Sequence, residues 1–137
     1  EKFNEINIIL SPAVGGIIVG YEIGRQLDVE TIFAERSEDK LILRRGFEIP
    51  KNSNVLIVED VITTGKSALE CAELVKKLDS KVIGYSCIID RSNDNSLIKQ
   101  KIISQIKLKM DTFKKIDLPD ELKKIDAIKP GSRNLTK

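Results

Sequence analysis

Short apolar runs, several of them followed by a helical pattern, constrain the fold of this chain more than any other feature. The runs lie at residues 6–10, 31–34, 55–58 and 82–89. Amphipathic helical patterns follow the first and third runs, at residues 17–27 and 67–78. This alternation predicts an α/β fold, a parallel sheet with helices on both faces. Ligands of such sheets bind at the carboxyl ends of the strands, so the loops there are the candidate site.

The remaining segments are less regular. The charged stretch 35–45 indicates a long exposed loop or a β-hairpin, and residues 105–110 alternate enough to predict a further strand. The string PDELKK, residues 119–124, predicts a short helix. A length of 137 residues fits one domain with one core, so residues 1–137 are expected to form a single domain.

Composition excludes several classes of function. The chain has no histidine, which excludes a catalytic triad and histidine acid–base chemistry. A net charge of +2 does not indicate a nucleic-acid or membrane partner, and neither is expected. Cys71 and Cys87 lie in apolar segments without metal-ligand spacing. We expect two reduced, buried thiols in a cytoplasmic protein.

The strongest functional signal is the string VLIVEDVITTGKS, residues 55–67. A buried strand delivers two adjacent carboxylates, Glu59 and Asp60, which repel each other unless a cation or hydroxyl groups compensate. A sugar diol with bound Mg²⁺ would do so. The following residues 63–67 offer hydroxyls, a glycine and backbone amides at a helix N-terminus, which suits a phosphate. A capped helix after a solvated turn is the simpler alternative, but the length of the string disfavours it.

This string resembles the motif with which type I phosphoribosyltransferases bind phosphoribosyl pyrophosphate (PRPP). The resemblance implies the fold of that family, a central, mostly parallel sheet flanked by helices. It also implies that Glu59 and Asp60 hold the ribose and that the next loop holds the 5′-phosphate. The implied PRPP-binding residues are Glu59, Asp60, Val61, Ile62, Thr63, Thr64, Gly65, Lys66 and Ser67.

A second loop follows the first apolar run. Its glycines allow close approach of a ligand, and the helix after them directs its positive end at that place. Taken alone, this loop is better explained as a tight strand-to-helix turn. The family resemblance implies instead that it binds pyrophosphate, through Ser11, Pro12, Ala13, Val14, Gly15 and Gly16.

Asp90 and Arg91 directly follow the apolar run 82–89. An arginine there is usually a surface residue, but the orotate phosphoribosyltransferases carry an Asp-Arg at this place. The resemblance implies that Arg91 contacts the carboxylate of the base, for which a planar guanidinium is well shaped. It also implies that Thr63 reaches the base. The string PGSR, residues 130–133, resembles the tail of one subgroup of these enzymes.

The charged stretch 35–45 resembles the mobile loop of the orotate enzymes, which closes over the site. The resemblance implies that its cations reach the pyrophosphate, commonly in the neighbouring subunit of a homodimer, and here they are Arg36, Lys40 and Arg44. Some relatives place a histidine in this loop and this chain has none. The implied catalytic residues are Asp60, Glu59, Lys40 and Arg36. The implied cofactor is Mg²⁺, bound through PRPP and not through a direct protein ligand set.

The resemblance thus predicts transfer of ribose 5-phosphate from PRPP to orotate, giving orotidine 5′-monophosphate and pyrophosphate in pyrimidine (UMP) biosynthesis. Two alternatives remain: a phosphoribosyltransferase for another base, and a non-catalytic PRPP-binding regulator. Orotate enzymes usually carry an N-terminal hood segment before the first sheet strand. We expect that segment to be absent from this chain, which starts almost at its first apolar run.

Overall fold

The computed structural model describes residues 3, 5–92, 96–111, 113 and 115–126. They form a six-stranded sheet and two helices. The strands are β1 (Ile8–Pro12), β2 (Glu30–Ser37), β3 (Lys40–Leu43), β4 (Asn54–Ile62), β5 (Lys81–Asp90) and β6 (Ile102–Lys107). The helices are α1 (Gly16–Leu27) and α2 (Lys66–Lys77), and two single 3-10 turns follow at Lys115–Asp117 and Leu122–Lys124.

The strand order in the sheet is β3-β2-β1-β4-β5-β6. All neighbouring pairs are parallel except β2 and β3, which form an antiparallel hairpin. The predicted α/β fold with a mostly parallel sheet is confirmed. Because β1, β4 and β5 are parallel neighbours, the loops that follow them emerge side by side at one edge of the sheet.

Helix α1 covers one face of the sheet. Its Val19 and Ile23 pack against the buried side chains of Ile9, Leu56 and Val58. Side chains alternate between the two faces along a strand, so Ile8 and Leu10 of β1 lie on the other face. Burial on both faces explains why the strands read as continuous apolar runs and not as alternating ones.

Helix α2 covers the opposite face. Its Ala68, Cys71 and Val75 are fully buried in the larger apolar cluster, which also contains Leu10 and Ile57. The helical spacing of these residues with Ala72 and Leu78 predicts a helix at residues 67–78, and the structure confirms it with bounds shifted by one residue. The structure also confirms that Cys71 and Cys87 are unpaired and buried.

Glycines let α1 lie unusually close to the sheet. Gly16, Gly20 and Gly24 are its buried residues, spaced one turn apart. A Cβ atom on Gly20 would collide with the Oγ atom of Ser11 in β1, and one on Gly24 would collide with Thr31 in β2. The sequence analysis did not identify this stripe, because a glycine's value for packing depends on which atoms lie opposite it.

Several boundaries differ from the sequence-based prediction. β4 extends beyond the predicted residues 55–58 to Ile62, because Glu59 and Val61 remain paired with β5. Of the two forms expected for residues 35–45, the β-hairpin is correct. The predicted strand at 105–110 was misplaced, since β6 spans Ile102–Lys107. The alternation of residues 105–110 belongs to a partly exposed edge strand and the segment after it.

The C-terminal part is only partly described. In place of the predicted helix at residues 119–124 the structure has one 3-10 turn, Leu122–Lys124. The PGSR string lies outside the described residues. None of the helices in the described part of the chain is both long enough and apolar enough to cross a membrane.

Candidate active site

The structure brings three of the predicted loops together at one edge of the sheet. They follow β1, β4 and β5, which are adjacent in the order β1-β4-β5. The first two lead directly into α1 and α2. Both helices therefore direct their N-termini, which carry a partial positive charge, to the same edge. An anionic ligand bound there meets two helix ends from opposite faces of the sheet.

The loop after β1 is in direct contact with β4 through Gly15 and Asp60. A Cβ atom on Gly15 would overlap the carboxylate of Asp60. The same carboxylate accepts a hydrogen bond from the backbone N–H of Val61, with a distance of 2.8 Å from nitrogen to Oδ1. Asp60 is therefore held by a hydrogen bond from the neighbouring backbone. The glycine at residue 15 leaves the space that its carboxylate occupies.

Gly16, the first residue of α1, makes a second close approach to β4. A Cβ atom there would lie 2.9 Å from the carbonyl oxygen of Val58, the residue before the acidic pair. The backbone of the β1 loop thus packs against the end of β4. The peptide bond between Ala13 and Val14 in this loop is cis. Val14 itself is exposed and available to a ligand.

Glu59 differs sharply from its neighbour Asp60. Its Oε1 atom is buried and has no hydrogen-bond partner among the described residues. Burial, and secondarily the charge of Asp60, raises the pKa of Glu59 to about 7. An unsatisfied carboxylate oxygen at the edge of a sheet calls for a donor or a cation from a ligand.

The loop after β4 has the form of a phosphate cup. Gly65, the N-cap of α2, has a left-handed conformation with φ of 79° and makes no side-chain cap bond, and the Thr64 hydroxyl accepts only a long bond of 3.4 Å from the N–H of Lys66. Glycine adopts this conformation at little cost, and the first-turn amides of a helix need partners from outside it. Thr63, Thr64 and Lys66 are exposed, so two hydroxyls and an ammonium group are available to a ligand.

A segment that the sequence analysis missed packs against this cup. The backbone N–H of Leu97 donates to the carbonyl of Thr64 at 2.9 Å. Ile98 is buried, and a Cβ atom on Gly65 would lie 2.7 Å from two of its side-chain carbons. No local signal in the sequence indicates this contact, because about thirty residues separate its two sides.

Arg91 follows β5 beside the same loop. Its backbone N–H donates to the carbonyl of Ile62 at 2.8 Å, which places it next to Thr63. The side chain is partly buried, and its Nε atom has no hydrogen-bond partner within the described part of the chain. The two residues expected to contact the base, Thr63 and Arg91, are thus brought together. A buried donor without a partner suits an anionic group on a ligand.

The three cations predicted to act from the β2–β3 hairpin, Arg36, Lys40 and Arg44, differ in their environments. Only Glu38 and Asp39 separate β2 from β3. Arg36 forms a 2.8 Å ion pair with Glu70 of α2, and it donates to the carbonyl of Asp39 at 2.9 Å. Lys40 and Arg44 are exposed. The expected role of these three cations at the pyrophosphate stays a prediction, and Arg36 would have to leave Glu70 to fulfil it.

The described residues contain no group of three or more histidine, cysteine, aspartate or glutamate side chains that could together hold a metal ion. The two carboxylates at the site, Glu59 and Asp60, are oxygen donors of the kind that Mg²⁺ prefers. Proteins commonly bind Mg²⁺ through one or two carboxylates, with substrate phosphates and water as the other ligands. The residues present therefore fit a Mg²⁺ ion that arrives with a phosphorylated substrate.

Comparison with known proteins identifies the family of this chain. The family model described as "Phosphoribosyl transferase domain" matches residues 1–121. The chain therefore belongs to the phosphoribosyltransferase family. Its relatives include an orotate phosphoribosyltransferase of Caldanaerobacter subterraneus, 45% identical over 98% of this chain and 72% of that protein. The orotate phosphoribosyltransferase of Methylorubrum extorquens is 44% identical over 99% of this chain and 70% of its own length.

Solved structures share the fold at lower identity. Adenine phosphoribosyltransferase from Thermoanaerobacter pseudethanolicus superposes with a TM-score of 0.66 and 20% identity, over 75% of this chain and 70% of that chain. Purine phosphoribosyltransferase from Pyrococcus horikoshii gives a TM-score of 0.63 and 22% identity, over 77% and 72%. At such identities the likeness concerns the fold alone.

Proposed function

We propose that this chain transfers the ribose 5-phosphate of PRPP to orotate, giving orotidine 5′-monophosphate and pyrophosphate. It is thus a pentosyltransferase of pyrimidine biosynthesis. The observation that carries the proposal is the convergence of three loops at one edge of the sheet. The first two, together with Glu59 and Asp60 of β4, suit the phosphates and ribose of PRPP, and the third presents Arg91, whose Nε has no partner among the described residues. The relatives named orotate phosphoribosyltransferase are the reason for proposing orotate as the base.

Different groups of residues at the site would bind different parts of PRPP and orotate. Glu59 and Asp60 would accept hydrogen bonds from the ribose hydroxyls, and Thr63 to Ser67 would hold the 5′-phosphate at the N-terminus of α2. Residues 11–16 would hold the pyrophosphate at the N-terminus of α1. Arg91 and Thr63 would hold orotate, with the guanidinium on its carboxylate.

This arrangement catalyses by position and charge. The bond from C1′ to the pyrophosphate oxygen breaks, and its electron pair leaves with pyrophosphate. A nitrogen of the base forms the new bond to C1′ from the opposite face and loses its proton, which the departing pyrophosphate can accept. No side-chain nucleophile is required, so the protein's contribution is to hold the reactants in line and to stabilise the departing anion.

Mg²⁺ is part of the proposal. When bound, it would neutralise charge on the pyrophosphate and orient its oxygens. Glu59 and Asp60 are the residues that would hold it, either directly or through its water molecules. The unsatisfied Oε1 of Glu59 supports this assignment.

Three further features complete the proposal. The exposed cations Lys40 and Arg44, with Arg36 after release from Glu70, would bind pyrophosphate in a homodimer with shared sites. Two unpaired cysteines fit a reducing compartment, which supports a cytoplasmic location. That residues 1–137 form a single domain remains an expectation.

Replacement of Arg91 tests the base site. Arg91→Ala should lower kcat/KM for orotate by about a hundredfold or more, because the base carboxylate loses a charge-assisted bidentate contact. The KM for PRPP should change little. A suitable control is Arg25→Ala, since Arg25 is exposed on α1 and pairs with Glu22. Unchanged orotate turnover in Arg91→Ala would show that the base binds elsewhere.

A further inference from the structure

Asp90 is a buried carboxylate that none of the roles above requires. It ends β5, immediately before Arg91, and only 7% of it is exposed. Burial of an ionised carboxylate is costly unless hydrogen bonds compensate. At the end of a strand beside a ligand site, such a group needs either a structural or a functional reason.

Ser92 supplies the compensating bonds. The Oδ1 atom of Asp90 accepts a hydrogen bond from the backbone N–H of Ser92 at 2.9 Å and another from its hydroxyl at 2.5 Å. Ser92 is itself buried. A carboxylate that bonds the amide two residues ahead forms a local turn that fixes the residue between them. That residue is Arg91.

The surroundings of the turn are anchored as well. The carbonyl of Asp90 accepts from the N–H of Leu108 at 2.9 Å, and the N–H of Arg91 donates to the carbonyl of Ile62 at 2.8 Å. Lys107 lies 3.8 Å from the second carboxylate oxygen of Asp90, too far for a hydrogen bond, and it is largely exposed. Ser92 is therefore the important partner, and Lys107 contributes little.

We propose that Asp90 is a positioning residue, which through its turn with Ser92 aims the guanidinium of Arg91 at the carboxylate of the base. This inference rests on the proposed function of Arg91. A bidentate contact between two planar groups is sensitive to small displacements, so a fixed backbone on both sides of Arg91 favours it. Asp90 thereby acquires a role that it performs through Arg91.

The first test is a set of variants of the full-length protein, with orotate and PRPP varied separately. Asp90→Ala should raise the KM for orotate about tenfold or more. The KM for PRPP should stay within about twofold of the starting value. Asp90→Asn should restore most of the orotate affinity, because its amide oxygen can still accept both bonds from Ser92. Ser92→Ala, which keeps one of the two bonds, should have a smaller effect than Asp90→Ala.

A double variant separates positioning from general stability. If Asp90 acts through Arg91, Asp90→Ala should add little to the orotate KM of an Arg91→Ala protein. Additive effects, or an equal rise in the KM of both substrates, would overturn the proposal. Asp120→Ala is the matched control, because Asp120 is exposed and paired with Lys123. Should Asp90→Ala fail to fold, Asp90→Asn and Ser92→Ala still decide the question.

A measurement without substrate distinguishes this proposal from the function itself. The NMR signal of the Arg91 Nε–H group should move in Asp90→Ala and return in Asp90→Asn. If it does so while Arg91→Ala leaves orotate turnover unchanged, Asp90 positions Arg91 but the base site is misassigned. If the signal does not respond to Asp90→Ala, Asp90 does not position Arg91.

Discussion

At the scale of single residues, the two adjacent carboxylates near the end of β4, Glu59 and Asp60, have different environments. Asp60 is held by the Val61 amide and lies against Gly15. Glu59 has a buried Oε1 without a partner among the described residues, and a pKa raised to about 7. The carboxylate of Asp60 is therefore held by the protein itself, whereas that of Glu59 is not held by any hydrogen bond at Oε1.

The raised pKa of Glu59 predicts how stability depends on pH. The folded protein binds the Glu59 proton more tightly than the unfolded chain, whose pKa is about 4.5. The resulting stabilisation is fully present below about pH 4.5 and is lost as pH rises through about 7. Glu59→Gln cannot ionise and escapes this loss. Its stability relative to the starting protein should therefore rise by on the order of 2 kcal/mol between pH 5 and pH 8.

Urea unfolding at pH 5 and pH 8, without PRPP, measures this difference. Glu48→Gln is the control, because Glu48 is an exposed glutamate outside the site. A difference between Glu59→Gln and the starting protein that stays constant with pH would contradict the raised pKa.

At the scale of elements, the site depends on how closely the β1–α1 connection approaches strand β4. Gly15 has φ of −60°, a value that any residue adopts, so its need for glycine comes from Asp60 alone. A carboxylate can rotate away from an added methyl group. Gly15→Ala should therefore leave the fold largely intact and displace Asp60 from the ribose position.

We expect Gly15→Ala to weaken PRPP binding about tenfold or more, with a free energy of unfolding close to that of the starting protein. Isothermal titration calorimetry and urea unfolding measure the two quantities. Gly46→Ala is the matched control. Gly46 has φ of 77° with open space around it, so alanine there should cost about 1 kcal/mol of stability and leave PRPP binding unchanged. Normal PRPP affinity in Gly15→Ala would contradict the contact.

The sequence predicted these elements because their signals are local. An apolar run ending in Glu59-Asp60, with a glycine turn and an amphipathic helix after it, defines the β4–α2 unit without knowledge of the rest of the chain. The contact of Gly15 with Asp60, and that of Ile98 with Gly65, join residues far apart in sequence. No periodicity or turn signal encodes such contacts. The Asp90–Ser92 turn is local, and the spacing of an aspartate two residues before a serine could have indicated it.

Edge elements were predicted less well than central ones. β1 and β4 lie inside the sheet, and burial on both faces makes their runs at residues 8–10 and 55–58 uniformly apolar. β6 is an edge strand whose second half is exposed, so its pattern merges with that of the following segment and the prediction was misplaced. The hairpin of β2 and β3 could be proposed but not preferred, since Leu41 is its only fully buried apolar residue in β3.

At the scale of the whole molecule, topology assembles the site. Parallel strands in the order β1-β4-β5 place three loops at one edge, and helices on opposite faces direct both N-termini there. Neither fact depends on the base that the enzyme uses, and solved phosphoribosyltransferases for adenine share the fold. Under the proposed function, specificity for orotate would come from Arg91 in the loop after β5 and from Thr63 in the loop after β4.

The measurement that tests the central claim most directly is release of pyrophosphate from PRPP with Mg²⁺, in the presence of orotate, uracil, adenine or hypoxanthine in turn. The account predicts release with orotate, in amounts equal to the orotidine 5′-monophosphate formed, and loss of this release in Asp60→Asn. Release with another base but not with orotate would contradict the proposed substrate. Release with none of the four bases would contradict the proposed activity.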